Sequence, residues 1–279
     1  MMYKTIAPGA IGHNMKFKDA AETAANRGFE GYWFEIGQDA ATPIEETKAL
    51  LAKTGLKAAG FGLPVDFRRE QSVFEEDFSK LKIFARYAAE IGATRCATWI
   101  SPVSDPLTFA ENYALHRDRL RRCCEVLGEF GITLGLEFIS PPKIRKGVKH
   151  EFLHSLEPML GLCADMGVNN AGLLLDVWHW DMAKLSRADF AKFTGGQVAL
   201  VHINDAPAFI HWEEQEDLIR RLPGETGVLK IAEFFDGLKS IGYDGPVMAE
   251  PFAPGLAKMP FEKACESVMA SIHRVWPET

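Results

Sequence analysis

The chain has 279 residues, of which 47% are hydrophobic and 25% charged, and its formal net charge is −7 at pH 7. This profile is typical of a globular protein with a large core, and α/β barrels of this length commonly form one domain. Because phosphate recognition depends on clustered Lys and Arg, an acidic chain disfavours polyanionic partners. We therefore expect no nucleic-acid partner.

The cysteines and the apolar runs indicate where the chain resides. It has five cysteines, an odd number that cannot all be bridged within one chain, and none forms a C-x-x-C pair. Reduced thiols in a cytoplasmic protein are therefore expected. The stretch "MMYKTIAPGAIG" lacks a basic segment followed by a long apolar run, so no secretory signal is predicted. No apolar run approaches the roughly 20 residues of a membrane span, so no membrane association is expected.

Short apolar runs with β character alternate along the chain with longer amphipathic segments. The runs predicted as strands, eight in all, are 3–7, 31–36, 57–63, 94–100, 132–139, 171–177, 197–204 and 245–252. Most are almost continuously apolar, as expected of parallel strands that are buried on both faces.

The segments between these strands have helical patterns, for example 78–92 and 113–131. A glycine followed by a hydrophobic residue, the signal of a helix end before a strand, recurs at Gly28, Gly55, Gly92, Gly131, Gly167 and Gly242. The repetition predicts one βα unit used throughout, without a linker. Eight such units favour a closed (β/α)8 TIM barrel over 1–279 as one domain, and the absence of G-x-G-x-x-G after the first strand disfavours a Rossmann fold.

Four consecutive predicted strands end in a potential metal ligand: Glu137, Asp176, His202 and Glu250. Each alone is consistent with an ordinary polar strand end. In a barrel, however, they converge at the C-terminal end of the strands, where three carboxylates repel one another unless a cation neutralises them. Three carboxylates and one imidazole predict one divalent metal ion, with Mn²⁺ favoured and Zn²⁺, Co²⁺ or Mg²⁺ as alternatives.

The motifs around these ligands carry a family resemblance. The stretches "LGLEF", "GLLLDVWHWDM", "LVHINDAPA" and "RRLPGETGVLKIAEFFDGLKSIGYDGPVMAEPF" resemble the xylose isomerase-like barrel superfamily of sugar isomerases and epimerases. The inosose isomerase (2-keto-myo-inositol isomerase) branch is the most similar, and the similarity is clear from about 130 to 270. Two departures concern loops that shape substrate choice: Thr226 follows "PGE" where Gly is common, and Asp181 stands where some relatives have a second histidine.

The resemblance implies roles for individual residues. Glu137, Asp176, His202 and Glu250 would bind one divalent ion, and Glu137 and Glu250 would also form the acid–base pair. His179 would hydrogen-bond the substrate, and Arg220 would close over it, with Arg221 as the alternative.

Other polar and aromatic residues are weaker candidates. Glu35, at the end of the second strand, is expected either to contact substrate or to support the pocket, and Asp205 either to orient a ligand or to cap a turn. Trp178 is a candidate substrate contact; with Phe61, Trp99 and Trp212 it is expected either to wall the pocket or to pack in the core. The remaining histidines are expected mostly on surfaces or helices.

These features predict a metal-dependent isomerase or epimerase that moves a proton next to the carbonyl of a small sugar or cyclitol, through an enediolate. A ketose 3-epimerase, a hydroxypyruvate isomerase or an inosose dehydratase could use the same residues. A non-catalytic sugar-binding barrel is an alternative of another class. An endonuclease for abasic DNA is disfavoured, because it needs more histidines and a basic groove. A homo-oligomer is compatible with the sequence.

Overall fold

The protein's structure, a computed structural model, describes residues 1–277. Eight parallel strands form a closed barrel: β1 Tyr3–Ile6, β2 Gly31–Phe34, β3 Lys57–Gly62, β4 Arg95–Ile100, β5 Thr133–Phe138, β6 Ala171–Asp176, β7 Val198–Ile203 and β8 Pro246–Ala249. Each strand pairs with its neighbours in sequence, and β1 pairs with β8. The predicted strands and the barrel fold are confirmed.

Helices surround the barrel and connect its strands. They are α1 Phe17–Asn26, α2 Ile36–Asp39, α3 Ile44–Thr54, α4 Gln71–Glu90, α5 Phe109–Gly128, α6 Pro142–Arg145, α7 Leu156–Asp165, α8 Val177–Met182, α9 Ile231–Ser240, α10 Pro254–Ala257 and α11 Phe261–Val275. Short 3₁₀ turns cover Gly9–Ile11, Arg187–Lys192, Gly195–Gln197 and Trp212–Glu214. A small antiparallel pair joins Val103–Ser104 to His150–Glu151.

The helix ends follow the predicted glycine signal. All six glycines have positive φ, from 66° at Gly167 to 86° at Gly92. At Gly55 the left-handed backbone directs its N–H to the carbonyl of Leu51 and so closes α3. Each glycine therefore turns the chain from a helix towards the next strand.

The apolar residues form two layers. The barrel interior is filled by Trp33, Ala59, Ala97, Leu174, Leu200 and Met248. A larger layer, which includes Phe34, Phe61 and Leu136, lies between the strands and the helices. All five cysteines are buried and unbridged. In the part of the chain that the structure describes, we find no helix of the length and apolar character needed to cross a bilayer.

Candidate active site

The strand register of the barrel brings the four predicted ligands together. Asp176 at the end of β6 is paired in register with His202 on β7. Glu137 lies near the end of β5. Glu250 follows β8 by one residue, and its backbone N–H still donates to the carbonyl of Ile203, 3.1 Å away. The C-terminal ends of four adjacent strands thus carry one cluster.

The cluster has the dimensions of a metal site. The Nδ1 atom of His202 lies 3.2 Å from Glu250 Oε2, 3.7 Å from Glu137 Oε1 and 3.8 Å from Asp176 Oδ2. Each residue offers one ligand atom, and these atoms all lie within 4.8 Å of one another. Nitrogen and oxygen ligands lie about 2.0–2.2 Å from an ion such as Zn²⁺. The donor set is therefore compact enough to fit one divalent ion.

Several of these atoms are buried without a hydrogen-bond partner: Glu137 Oε1 and both ring nitrogens of His202. A buried polar atom left unpaired costs about 1–3 kcal/mol. Glu137 Oε1 and one of the two His202 nitrogens are also atoms suited to ligate an ion. This observation is the direct structural sign that the residues fit a metal.

The electrostatics of the cluster favour positive charge at its centre. Burial alone would lower the pKa of His202, but Glu250 and Glu137 outweigh it and raise this pKa to about 10. Burial raises the pKa of Glu137. The pKa of Glu250 is lowered, because His202 and Arg220 more than offset the effect of its burial. A divalent cation would supply the positive charge that these carboxylates attract.

Arg220, rather than Arg221, points into the cluster. Its Nη1 lies 2.6 Å from Asp176 Oδ2 and 3.2 Å from Glu250 Oε2, and its Nη2 lies 2.6 Å from Asp217 Oδ1. Burial would lower the pKa of Arg220, but these carboxylates raise it. The side chain of Arg221 instead faces Glu225, 3.8 Å away, and is 39% exposed. Of the two arginines that the sequence left open, Arg220 is therefore the one that lies in the cluster.

His179 lies beside the four ligands and faces the same cavity. The backbone N–H of Ser140 lies 3.3 Å from its Nδ1. The Nε2 of His179 is 3.5 Å from Asp217 Oδ1 and 3.1 Å from Arg220 Nη2. Burial, reinforced by Arg220, lowers the pKa of His179 to about 3. The residue therefore presents a neutral imidazole to the cavity.

Trp178 requires a correction, because its side chain is fully buried and lines neither cavity beside the cluster. Asp176 accepts the backbone N–H of Trp178, which starts α8 and turns this indole away from the cavity. Its ring lies 5.0 Å from the guanidinium carbon of Arg220 and packs edge-on against His179. Trp178 supports these two residues from behind.

Two adjacent cavities open at the cluster, and both are lined by Trp99, Glu137, Glu250 and Phe252. The first lobe, about 790 Å³, adds the apolar Ile139, Ile144 and Leu218 and the polar Ser101, Lys143, His179, Gln215, Glu216, Asp217 and Arg220; we call it the apolar lobe for its large apolar side chains. The second lobe, about 570 Å³, adds the polar His13, Glu35, Gln38, Thr98 and His202 together with apolar residues such as Trp33, Leu174, Leu200 and Met248; we call it the polar lobe for the first set.

The lobes also show which of the weaker candidates face the site. Trp99 walls both lobes and Glu35 lines the polar lobe. Phe61 is fully buried in the core, and Trp212 lines a separate cavity of about 420 Å³. His13, expected on a surface or helix, lines the polar lobe from the loop after β1. Its position in the loop between a barrel strand and the next helix was the available sequence signal.

Asp205 organises the loop beside the cluster. Its Oδ2 accepts the backbone N–H groups of Thr226 and Gly227, and its Oδ1 accepts those of Ala206 and Leu229. The Thr226 hydroxyl donates to the carbonyl of Ala206. The residue that departs from the family pattern thus helps to fasten this loop. Of the two roles considered for Asp205, the structure shows the turn-forming one.

Comparison with known proteins places this geometry in context. An inosose isomerase of Halalkalibacterium halodurans is 27% identical over 173 residues, which cover 59% of this chain and 57% of that protein. The chain thus spans little more than half the length of this relative. A ketose 3-epimerase of Arthrobacter globiformis is 26% identical over 245 residues, which cover 83% of this chain and 78% of that protein.

Solved structures share the same fold. A xylose isomerase domain protein from Alicyclobacillus acidocaldarius superposes with a TM-score of 0.86 at 25% identity, covering 99% of this chain and 98% of that one. The IOLI protein with a binding zinc atom superposes with a TM-score of 0.82 at 18% identity, covering 98% of each chain. The family described as xylose isomerase-like TIM barrel matches residues 18–272. This chain therefore belongs to the xylose isomerase-like TIM barrel family.

Proposed function

We propose that this protein is a divalent-metal-dependent isomerase or epimerase that moves a proton next to the carbonyl of a small sugar or cyclitol. The observation that carries the proposal is the convergence of Glu137, Asp176, His202 and Glu250 within 4.8 Å at the mouth of the barrel. The named relatives, an inosose isomerase and a ketose 3-epimerase, support this class of reaction.

The four residues would hold one metal ion, with Mn²⁺ as the proposed ion. The zinc in the IOLI protein makes Zn²⁺ the first alternative. When bound, the ion would neutralise the carboxylates and polarise the substrate carbonyl. With His202 neutral as a ligand and the three carboxylates ionised, the guanidinium of Arg220 leaves an excess of negative charge, which a divalent cation would balance.

Glu137 and Glu250 would transfer the proton. One carboxylate accepts the proton from the carbon next to the carbonyl, and the other returns a proton to the neighbouring carbon or to the opposite face. Both glutamates line both lobes, so both reach a molecule that is bound at the mouth. The carbon to which the proton returns decides between isomerisation and epimerisation.

Arg220 and His179 would orient the substrate. The guanidinium is held between Asp176 and Asp217 and flanked by the rings of Trp178 and Phe252, so little entropy is lost when it binds a substrate oxygen. The neutral imidazole of His179 lies beside it, with Nε2 3.1 Å from Arg220 Nη2, and would hydrogen-bond a substrate hydroxyl. Their buried positions also limit water around the reacting carbon.

The experiment that tests the function is incubation of the Mn²⁺-loaded protein in D₂O with keto-inositols, ketohexoses and hydroxypyruvate, followed by NMR. We expect deuterium at a carbon next to the carbonyl of at least one keto-inositol or ketohexose, together with its isomer or epimer. If every compound in the panel keeps its protons at the level of a protein-free control, the proposal is wrong.

A further inference from the structure

The apolar lobe has an unusual wall for a site that would bind only a polyhydroxylated molecule. Three of its large apolar side chains are exposed: Trp99 (46%), Ile144 (42%) and Leu218 (66%). They lie on three separate segments, at the end of β4, in α6 and in the loop before α9. Apolar surface gathered in a concave site gains free energy when a ligand removes it from water.

The polar side chains that line the same lobe away from the cluster are already engaged within the protein. Lys143 is ion-paired with Glu216 at 2.6 Å. Ser101 donates to the carbonyl of Val103, and Gln215 donates to the carbonyls of Pro207 and Ile210. The oxygen of the Gln215 side chain has no partner, but it is itself buried. Beyond the cluster, the lobe therefore has few free partners for hydroxyl groups.

The polar lobe, in contrast, contains a polar side chain that is free to bind hydroxyl groups. The Glu35 side chain faces that lobe, is exposed and forms no hydrogen bond with a described residue. The cavity also holds Thr98 and the cluster residue His202. A ring with several hydroxyl groups is therefore better satisfied on this side. Because both lobes meet at Glu137 and Glu250, a single ligand can occupy both while it reacts between them.

The two lobes together are larger than a free monosaccharide needs. Cavities of about 300–1,000 Å³ enclose drug-sized ligands, and the apolar lobe alone measures about 790 Å³. Trp99 and Phe252 stand where the lobes meet, and Phe252 keeps a left-handed backbone (φ 40°). A bulky residue adopts such a backbone only when its surroundings hold it there. Two aromatic walls of this kind suit a planar apolar group.

We infer that the substrate is a keto-sugar or keto-cyclitol that carries an apolar substituent of aryl size, with its ring in the polar lobe and the substituent in the apolar lobe. The assignment rests on the proposed function for the position of the reacting ring. The apolar lobe then acts as a specificity site that distinguishes substituted from free sugars.

Binding of non-reacting probes tests this inference apart from turnover. Phenyl and methyl glucoside are titrated into the Mn²⁺-loaded protein in a calorimeter at several temperatures. We expect the phenyl glycoside to bind about tenfold or more tightly, with the more negative heat-capacity change that marks apolar burial. Ile144→Gln is expected to remove most of this preference. Ile83→Gln, which changes an isoleucine 69% exposed on α4, is the matched control and should keep it.

The second arm follows proton exchange in D₂O with the phenyl and methyl glycosides of 3-keto-glucose, whose ketone stays free because the glycosidic bond is at C1. We expect a kcat/KM ratio of about ten or more in favour of the phenyl compound, reduced by Ile144→Gln but not by Ile83→Gln. Equal affinity for phenyl and methyl glucoside, or a preference that Ile144→Gln leaves intact, overturns the inference. Binding preference for the phenyl group without proton exchange in any keto-sugar supports the apolar lobe and contradicts the proposed function.

Discussion

The guanidinium Nη1 of Arg220 lies 2.6 Å from Oδ2 of Asp176, and both side chains are almost completely buried. The same nitrogen is 3.2 Å from Glu250 Oε2, so one arginine touches two of the four cluster residues. Arg220 therefore partly neutralises the carboxylates that would hold the metal. It opposes the binding of a cation electrostatically, and in the proposed function it also orients the substrate.

Replacing Arg220 should separate these two effects. In Arg220→Gln we expect affinity for Mn²⁺ to rise by about tenfold or more, because a buried positive charge next to the ligands is lost. We expect kcat/KM for the substrate to fall by about 10²-fold, because the oriented donor is lost. Calorimetric titration with Mn²⁺ and steady-state kinetics measure the two quantities.

Arg221→Gln is the matched control, since Arg221 is half exposed and directs its side chain to Glu225. It should leave both the affinity for Mn²⁺ and kcat/KM within about twofold of the unaltered protein. Weaker Mn²⁺ binding in Arg220→Gln would show that the guanidinium supports the metal site rather than opposing it.

His202 provides the nitrogen ligand of the proposed metal site. We expect His202→Ala to lose most of its bound metal, measured by elemental analysis after dialysis, because one of four ligands is gone. His211→Ala changes a histidine whose side chain is 66% exposed and should keep the metal content of the unaltered protein. Equal metal in the two variants would remove His202 from the ligand set.

The sequence predicted the barrel from the repeated strand and helix pattern, and it predicted the cluster from the residues at the strand ends. Glu137, Asp176, His202 and Glu250 each interrupt an apolar run, and parallel strands in a barrel bring such positions to one end. Side-chain direction after the strand ends was not predictable in this way. Trp178 illustrates the limit, since the cap formed by Asp176 turns its indole into the core.

The two-lobed cavity also could not be predicted from the sequence, because its wall is formed by loops that are distant along the chain. Ile144 and Leu218 are ordinary apolar residues in their own segments, and only the tertiary arrangement places them in one cavity. The choice of Arg220 over Arg221 has a similar cause. The backbone of Arg221 exchanges hydrogen bonds with Asp205, and this pairing directs the preceding side chain inward.

The loop anchored by Asp205 should be sensitive to the loss of a single oxygen. In Asp205→Asn one of the two oxygens becomes an NH₂ group facing backbone N–H donors, so buried hydrogen bonds are lost. We expect the free energy of unfolding to fall by about 3 kcal/mol, as measured by denaturant titration. Asp236→Asn, on the exposed face of α9, should change it by less than about 0.5 kcal/mol. Equal stability of the two variants would contradict the anchoring role.

His116 should make stability depend on pH outside the active site. Burial lowers its pKa from 6.5 to about 4. Its Nδ1 donates to the carbonyl of Asn112 over 2.8 Å, and its Nε2 is buried without a partner between the rings of Phe67 and Phe152. A second proton on this ring would therefore have no acceptor.

His116 destabilises the folded protein as the pH falls. Above about pH 6.5 its imidazole is neutral in both the folded and the unfolded chain. Below that pH the unfolded chain gains a proton that the folded chain does not. We expect His116 to reduce the free energy of unfolding by about 3 kcal/mol between pH 6.5 and pH 4. In urea titrations, the free energy of unfolding of His116→Phe should fall less between pH 6.5 and pH 4 than that of the unaltered protein. His273→Phe, which changes an exposed histidine, should show the same fall as the unaltered protein. An identical pH dependence in His116→Phe and the unaltered protein would rule out this role.

The most direct test of the account is proton exchange at the carbon next to the carbonyl, measured by NMR in D₂O with Mn²⁺-saturated Glu137→Gln and Glu250→Gln. Each amide keeps the shape of the side chain but cannot accept the proton, so we expect each rate to fall by about 10²–10⁴-fold. Glu125→Gln, an exposed residue of α5, should exchange at the unaltered rate. Exchange at that same rate in both Glu137→Gln and Glu250→Gln, with metal bound, would contradict the central claim.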